Sequence, residues 1–154
     1  MTIKSVKEEL KIKAPSLKII EHTNSTASVD EAALVHNVRP GQIVKTIALM
    51  LDKPILLMMA GDMKIDNKKY KKYFKIKAKM LSSEDTERFT SHPIGGVCPF
   101  GLPSKLDIYN DISLINYDIV IPAAGSRNSS VKINRKLLID IVGATQIDVS
   151  VKKL

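Results

Sequence analysis

The chain has 154 residues, 44% hydrophobic and 26% charged, enough to bury a real core without metal or disulfide support. A single cysteine, Cys98, excludes an intramolecular disulfide and a zinc site built from cysteines, and it points to a reducing cytoplasm. No apolar run approaches the length needed to span a membrane, the first ten residues are charged rather than signal-like, and the net charge of +8 points to a polyanionic partner.

Taken in order, residues 5–12 have helical spacing and stop before Pro15, and residues 18–22 read as a short strand. A clearer helix is predicted over 26–38, because Ser28 followed by Glu31 forms a capping box in which each side chain bonds the other's backbone N–H. Pro40 and Gly41 end it. Residues 43–51 and 55–60 are rich in Val, Ile, Leu and Met and read as two buried strands joined through Asp52-Lys53-Pro54. Asp66 is placed to cap a helix running to about Phe74, with Tyr70, Tyr73 and Phe74 inside and lysines outside. A short strand at 78–81 and a helix at 84–89, capped by Ser82 or Ser83, lead into a loop at 94–101. Strands are predicted at 106–109, 117–122, 131–133 and 146–151, with a turn near 112–115 and a helix at 135–142 between Asn134 and Gly143. Helices and strands mix without strict alternation, so the class is α+β with a mixed sheet, and the length suits one domain over residues 1–154.

The 94–101 loop reads I-G-G-V-C-P-F-G. Three glycines and a proline exclude a regular helix or central strand there. Two readings are open: a tight turn wedged between elements, or a loop whose backbone approaches a ligand and offers N–H groups to an oxyanion or phosphate. Between residues 64 and 79 eight lysines accompany one acid, Asp66. This is either a solvated helix face or a phosphate-binding surface. Lys45 opens a buried strand and reads either as a solvated strand-end lysine or as a positioned charge.

Three segments in matching order, Ile43-Val44-Lys45-Thr46, Gly95 through Gly101, and Ala123-Ala124-Gly125-Ser126, make the chain resemble the YbaK/prolyl-tRNA synthetase-associated domain family over roughly residues 20–150. The resemblance implies a partly closed, barrel-like mixed sheet flanked by helices and hydrolysis of mischarged aminoacyl-tRNA in trans. A small amino acid such as Cys, Ala or Ser on tRNA(Pro) or a related tRNA is the implied substrate. It makes Lys45, Gly95 and Gly96 the catalytic candidates, and Thr46, Val97, Cys98, Pro99, Phe100, Gly101, Gly125, Ser126 and Asn128 the substrate-binding ones. Lys68, Lys69, Lys71, Lys72 and Lys75 become candidates for tRNA contact. Expected partners are aminoacyl-tRNA and an aminoacyl-tRNA synthetase, for a cytoplasmic monomer with no cofactor and no metal. The alternative is a noncatalytic module of the same fold that binds tRNA or an aminoacylated end. Cys98 stands where the family usually has serine, Ser91-His92 departs from its pattern, and residues 125–128 differ from its glycine-rich version, which leaves the edited amino acid open.

Hydrolysis of an aminoacyl ester needs a positioned water, a stabilised oxyanion and little more, which fits an ammonium and backbone N–H groups. Cys98 as nucleophile with His92 as base is a weaker reading, since a thiolate-stabilising setting and a third orienting group are not visible. His22 and His36 read as isolated, no spacing suggests a metal site, and Gly95-Gly96 lacks the Lys-Ser/Thr of a P-loop.

Overall fold

The computed structural model describes residues 2–153. Its elements run α1 (Thr2–Lys13), β1 (Ile19–Glu21), α2 (Val29–His36), β2 (Ile43–Met50), β3 (Pro54–Ala60), β4 (Met63–Ile65), α3 (Asn67–Phe74), α4 (Ser83–Thr90) and β5 (Asp107–Asp111). They continue with β6 (Ile119–Pro122), β7 (Ser129–Val131), β8 (Ile133–Asn134), α5 (Arg135–Val142), β9 (Thr145–Ile147) and β10 (Ser150–Lys152), with 3-10 turns at Pro40–Gln42 and Ile112–Asn116.

β2 and β3 form the antiparallel hairpin expected from the Asp52-Lys53-Pro54 break. They sit at the centre of a mixed sheet ordered β8-β6-β2-β3-β5-β9, in which β2 pairs with β6, β3 with β5, and β5 with β9 in parallel. This is the α+β half-barrel expected from the sequence. β3 is buried along nearly its whole length, as an apolar run covered on both faces must be. On one face Val6 and Leu10 of α1 and Leu138 of α5 close over Val44, Ala48, Leu56, Met58, Cys98 and Phe100. On the other, Tyr70 and Phe74 of α3 pack on Leu49, Ile55, Leu57 and Met59. A smaller cluster joins Ala32 and Ala33 of α2 to Ile43 and Ile121.

Local signals hold where capping is local. Ser28 and Glu31 make the reciprocal capping box, Asp66 caps α3, Ser82 caps α4 and Asn134 caps α5, while Gly143 ends that last helix with a φ of 65°. Longer-range expectations need correction. The strand expected at 78–81 is only a single bridge between Leu49 and Met80, with flanking bonds from Met50 to Lys79 and from Leu81 to Ala48. The strand expected at 146–151 is two strands. Its Val149 N–H donates to Asp111 Oδ1 at 2.8 Å and its carbonyl accepts from Asp66, so the chain leaves β5 as a partner and takes up β4. The buried Asp111 carboxylate also accepts from Ser113 N and Ser150 Oγ and holds this crossover in place.

Candidate functional site

α2 stands over the β6-β2 part of the sheet, and between them lies a cavity of about 260 Å³. Val29 and Ala32 of α2, Ile43 to Ala48 of β2, Ile121, and Met80, Leu81, Ile94 and Val97 make its walls largely apolar, with Lys45, Thr46, Ser129 and Ser130 as polar groups. The capping box fixes the helix end above it, with Ser28 Oγ accepting from Glu31 N at 3.1 Å and Glu31 Oε1 from Ser28 N at 3.2 Å.

The glycine loop closes one side. Gly95 has φ +93°, and a Cβ there would lie 2.9 Å from Ala27 Cβ; one on Gly96 would lie 2.8 Å from Ser126 N. The glycines therefore let residues 27, 95–96 and 125–126 touch. Gly96 carbonyl accepts from Gly125 N at 3.1 Å, and Arg127 Nε donates to Ile94 carbonyl at 3.0 Å. The Gly96 N–H is used within the loop, donating to Pro93 carbonyl at 2.9 Å, so it is not available to an oxyanion.

Of the sequence candidates, Lys45, Thr46, Gly95 and Val97 come together on this cavity. Gly96 stands behind it. Cys98 and Phe100 are wholly buried in the α1 side of the core, and this corrects the expectation that they line the pocket. Phe100 is the loop's largest apolar group, and its burial against α1 anchors the loop. Pro99 lines a separate groove with Glu9 and Leu102, and Gly101 packs its backbone on Ser5 and Val6 of α1. The 125–128 turn also lies off the cavity. Ser126 Oγ donates within it to Asn128 Oδ1 or Ser129 Oγ, and Asn128 Nδ2 donates to His22 carbonyl, so these side chains fold the turn onto β1.

Lys45 is half-buried, and its Nζ donates to the Met63 carbonyl. Burial lowers its pKa, Lys153 lowers it further, and Asp62 works in the opposite direction. Beside it, Thr46 Oγ1 is buried without a protein partner. A charge with part of its hydration removed interacts strongly with any oxyanion brought next to it.

Two histidine centres flank this region. His92 Nε2 lies 2.6 Å from Phe100 carbonyl and 3.5 Å from Cys98 Sγ. The carbonyl can only accept, so Nε2 carries the proton and is no base toward the thiol. Burial pushes the Cys98 pKa up to about 12 and lowers that of His92. A thiolate nucleophile is thus disfavoured at this position.

His22 and His36, read from the sequence as isolated, converge instead. Their rings meet edge to face at 4.7 Å, and each Nε2 lies 2.7 Å from Ser130 Oγ. Burial is the main cause lowering both pKa values, with Lys132 adding to both and His22 to that of His36. Ser130 reaches the cavity from β7. No local signal could have found this cluster, since its members are joined only by tertiary packing. Among the described residues no group of three His, Cys, Asp or Glu side chains could hold a metal, and no helix is long and apolar enough to cross a membrane.

On α3, Lys68, Lys71 and Lys72 share one helical stripe, opposite Tyr70 and Phe74, while Lys75 follows as the C-cap in the left-handed conformation. Lys69 departs from the stripe, because its ammonium bonds Asp148 Oδ1 at 3.2 Å and Ser150 carbonyl at 2.8 Å.

The family model for the aminoacyl-tRNA editing domain matches residues 23–141. The uncharacterized protein YwhH of Bacillus subtilis (strain 168) is 40% identical over 140 residues, covering 90% of this chain and 89% of that protein. A proline--tRNA ligase of Syntrophus aciditrophicus (strain SB) is 30% identical over 109 residues, which are 70% of this chain but 19% of the ligase. Among solved structures, a protein proposed as a trans-editing enzyme for prolyl-tRNA synthetase superposes with a TM-score of 0.89 at 26% identity, covering 97% of this chain and 96% of that one. Residues of all three quoted motifs, Ile43 to Thr46, Gly95 with Val97, and Ala123, line the cavity, and the chain belongs to the aminoacyl-tRNA editing domain family.

Proposed function

We propose that this protein is a trans-acting deacylase that hydrolyses the ester of a mischarged aminoacyl-tRNA, with a small amino acid such as Cys, Ala or Ser on tRNA(Pro) or a related tRNA as substrate. The observation that carries the reading is Lys45, a partly desolvated ammonium at a small and mainly apolar cavity. The cavity excludes a bulky side chain and orients a small one, while Lys45 stabilises the charge that develops on the ester oxygen as water adds. Thr46, the next residue of β2, also lines the cavity.

The α3 stripe supplies affinity for the acceptor arm through phosphate contacts that carry no sequence information. Replacing Lys68, Lys71 and Lys72 with alanine should weaken binding of whole charged tRNA and lower its salt slope by about one unit per lost phosphate contact. An unchanged salt series would make the stripe a solvated face.

The direct test is release of amino acid from a panel of charged tRNAs by purified protein. Lys45→Ala should reduce kcat/KM on the order of 10²-fold in a protein that stays folded. Near-normal turnover by that variant sinks the assignment of Lys45, and binding without turnover by the wild type favours the noncatalytic module.

A further inference from the structure

Lys45 borders two cavities. The second, about 370 Å³, shares Ser28, Val29 and Lys45 with the first but adds Asp30, Asp62 and Lys153. Its chemistry is different. The first is walled by aliphatic side chains, whereas the second gathers ammonium and carboxylate groups.

Its shape is fixed by backbone. A Cβ on Gly61 would meet Pro40 carbonyl at 2.3 Å and Val29 Cγ1 at 2.6 Å, so this turn lies against the start of α2 with no room for a side chain. Lys153 is tied to the same turn through its N–H, which donates to Asp62 carbonyl at 3.0 Å. The Asp62 carboxylate lies 3.7 Å from Lys152 Nζ. Lys45 and Lys153 line the cavity together with Asp62; Lys153 disfavours the charged form of Lys45 and Asp62 favours it, and an anion bound beside the two ammonium groups would be attracted by both. Carboxylates accept hydrogen bonds from hydroxyl groups, and lysines serve as point charges for phosphates. A ligand carrying both a hydroxyl and a phosphate matches the set, and the volume lies within the range of small-molecule sites.

We infer, resting on the deacylase reading, that the second cavity receives the terminal nucleotide of the charged tRNA. Lys153 engages its phosphate and Asp62 accepts from a ribose hydroxyl. Lys45 then stands where the two cavities meet, at the ester that joins nucleotide to amino acid.

Adenosine 5′-monophosphate and adenosine serve as probes, titrated into the full chain and followed by calorimetry and amide chemical shifts. The monophosphate should bind more tightly than adenosine, with shifts centred on Asp62 and Lys153. Lys153→Ala should weaken the monophosphate about tenfold and close the gap between the two ligands, and Lys153→Arg should largely restore it. Asp62→Asn should weaken both. Equal affinity of wild type for the two probes, shifts centred on α3, or a Lys153→Ala protein that still prefers the monophosphate would each overturn the site. Turnover is not needed for this readout. A protein that deacylates charged tRNA but binds neither probe loses this subsite alone, whereas one that binds the monophosphate here and deacylates nothing loses the catalytic reading alone.

Discussion

The loop at 94–101 turns two faces to two environments. Ile94, Gly95 and Val97 border the cavity under α2, and Ile94 is 48% exposed; Cys98 and Phe100, a few residues on, are 0% exposed behind α1. The histidines divide in the same way. His92 is sealed in the core with its proton committed to a carbonyl, while His22 and His36 share Ser130 at the cavity edge and are only partly buried. Burial removes Cys98 from chemistry, because an apolar setting disfavours the thiolate that attack would require. A reactive residue type within a family motif is therefore no guide to reactivity unless its environment stabilises the reactive form.

If the core half of the loop is structural, Phe100→Ala should cost about 3–5 kcal/mol of stability, measured by urea unfolding. A loss below about 1 kcal/mol would mean that Phe100 is not the loop's anchor. On the cavity half, Lys45→Ala should show the opposite balance, with its effect in turnover and little in the melting temperature.

The histidines sharpen the comparison through pH. The folded-state pKa of His22 and of His36 is lowered, chiefly by burial, so the unfolded chain takes up protons first on acidification. Their contribution to stability is therefore present above the ordinary histidine value of about 6.5 and is lost as pH falls through it. Stability should rise as pH increases toward about 6.5 and level off above it, and His36→Gln should flatten the rise while His92 maintains part of it. An unaltered slope in His36→Gln would remove the cluster from the pH response.

The smallest effect is expected for Cys98→Ser. Serine fits the slot and Phe100 carbonyl, 3.8 Å from the thiol, is a ready acceptor, so a cost of roughly 1 kcal/mol and retained deacylation are expected. Trapping an acyl-thioester on the wild-type protein by mass spectrometry would reverse the comparison and make the buried half the chemical one.

The sequence by itself determined whatever depends on neighbours a few residues away. Ser28 with Glu31, Asp66, Ser82 and Asn134 declare helix starts because a cap bonds N–H groups two or three residues on, and the run at 55–60 declares a buried strand because each of its residues is apolar. The family motifs placed Lys45 beside Gly95 in expectation. Tertiary structure alone decided which way each loop residue faces, since Gly95 and Phe100 are equally plausible pocket residues until α1 covers one of them. It also decided that residues 146–151 break at Val149, where backbone bonds are drawn to Asp111 and Asp66, and that Lys69 turns from the basic stripe to Asp148. His22, His36 and Ser130 meet for the same reason: their hydrogen bonds join residues 94 and 108 positions apart, and no local pattern encodes a contact that only the packing of β1, α2 and β7 creates.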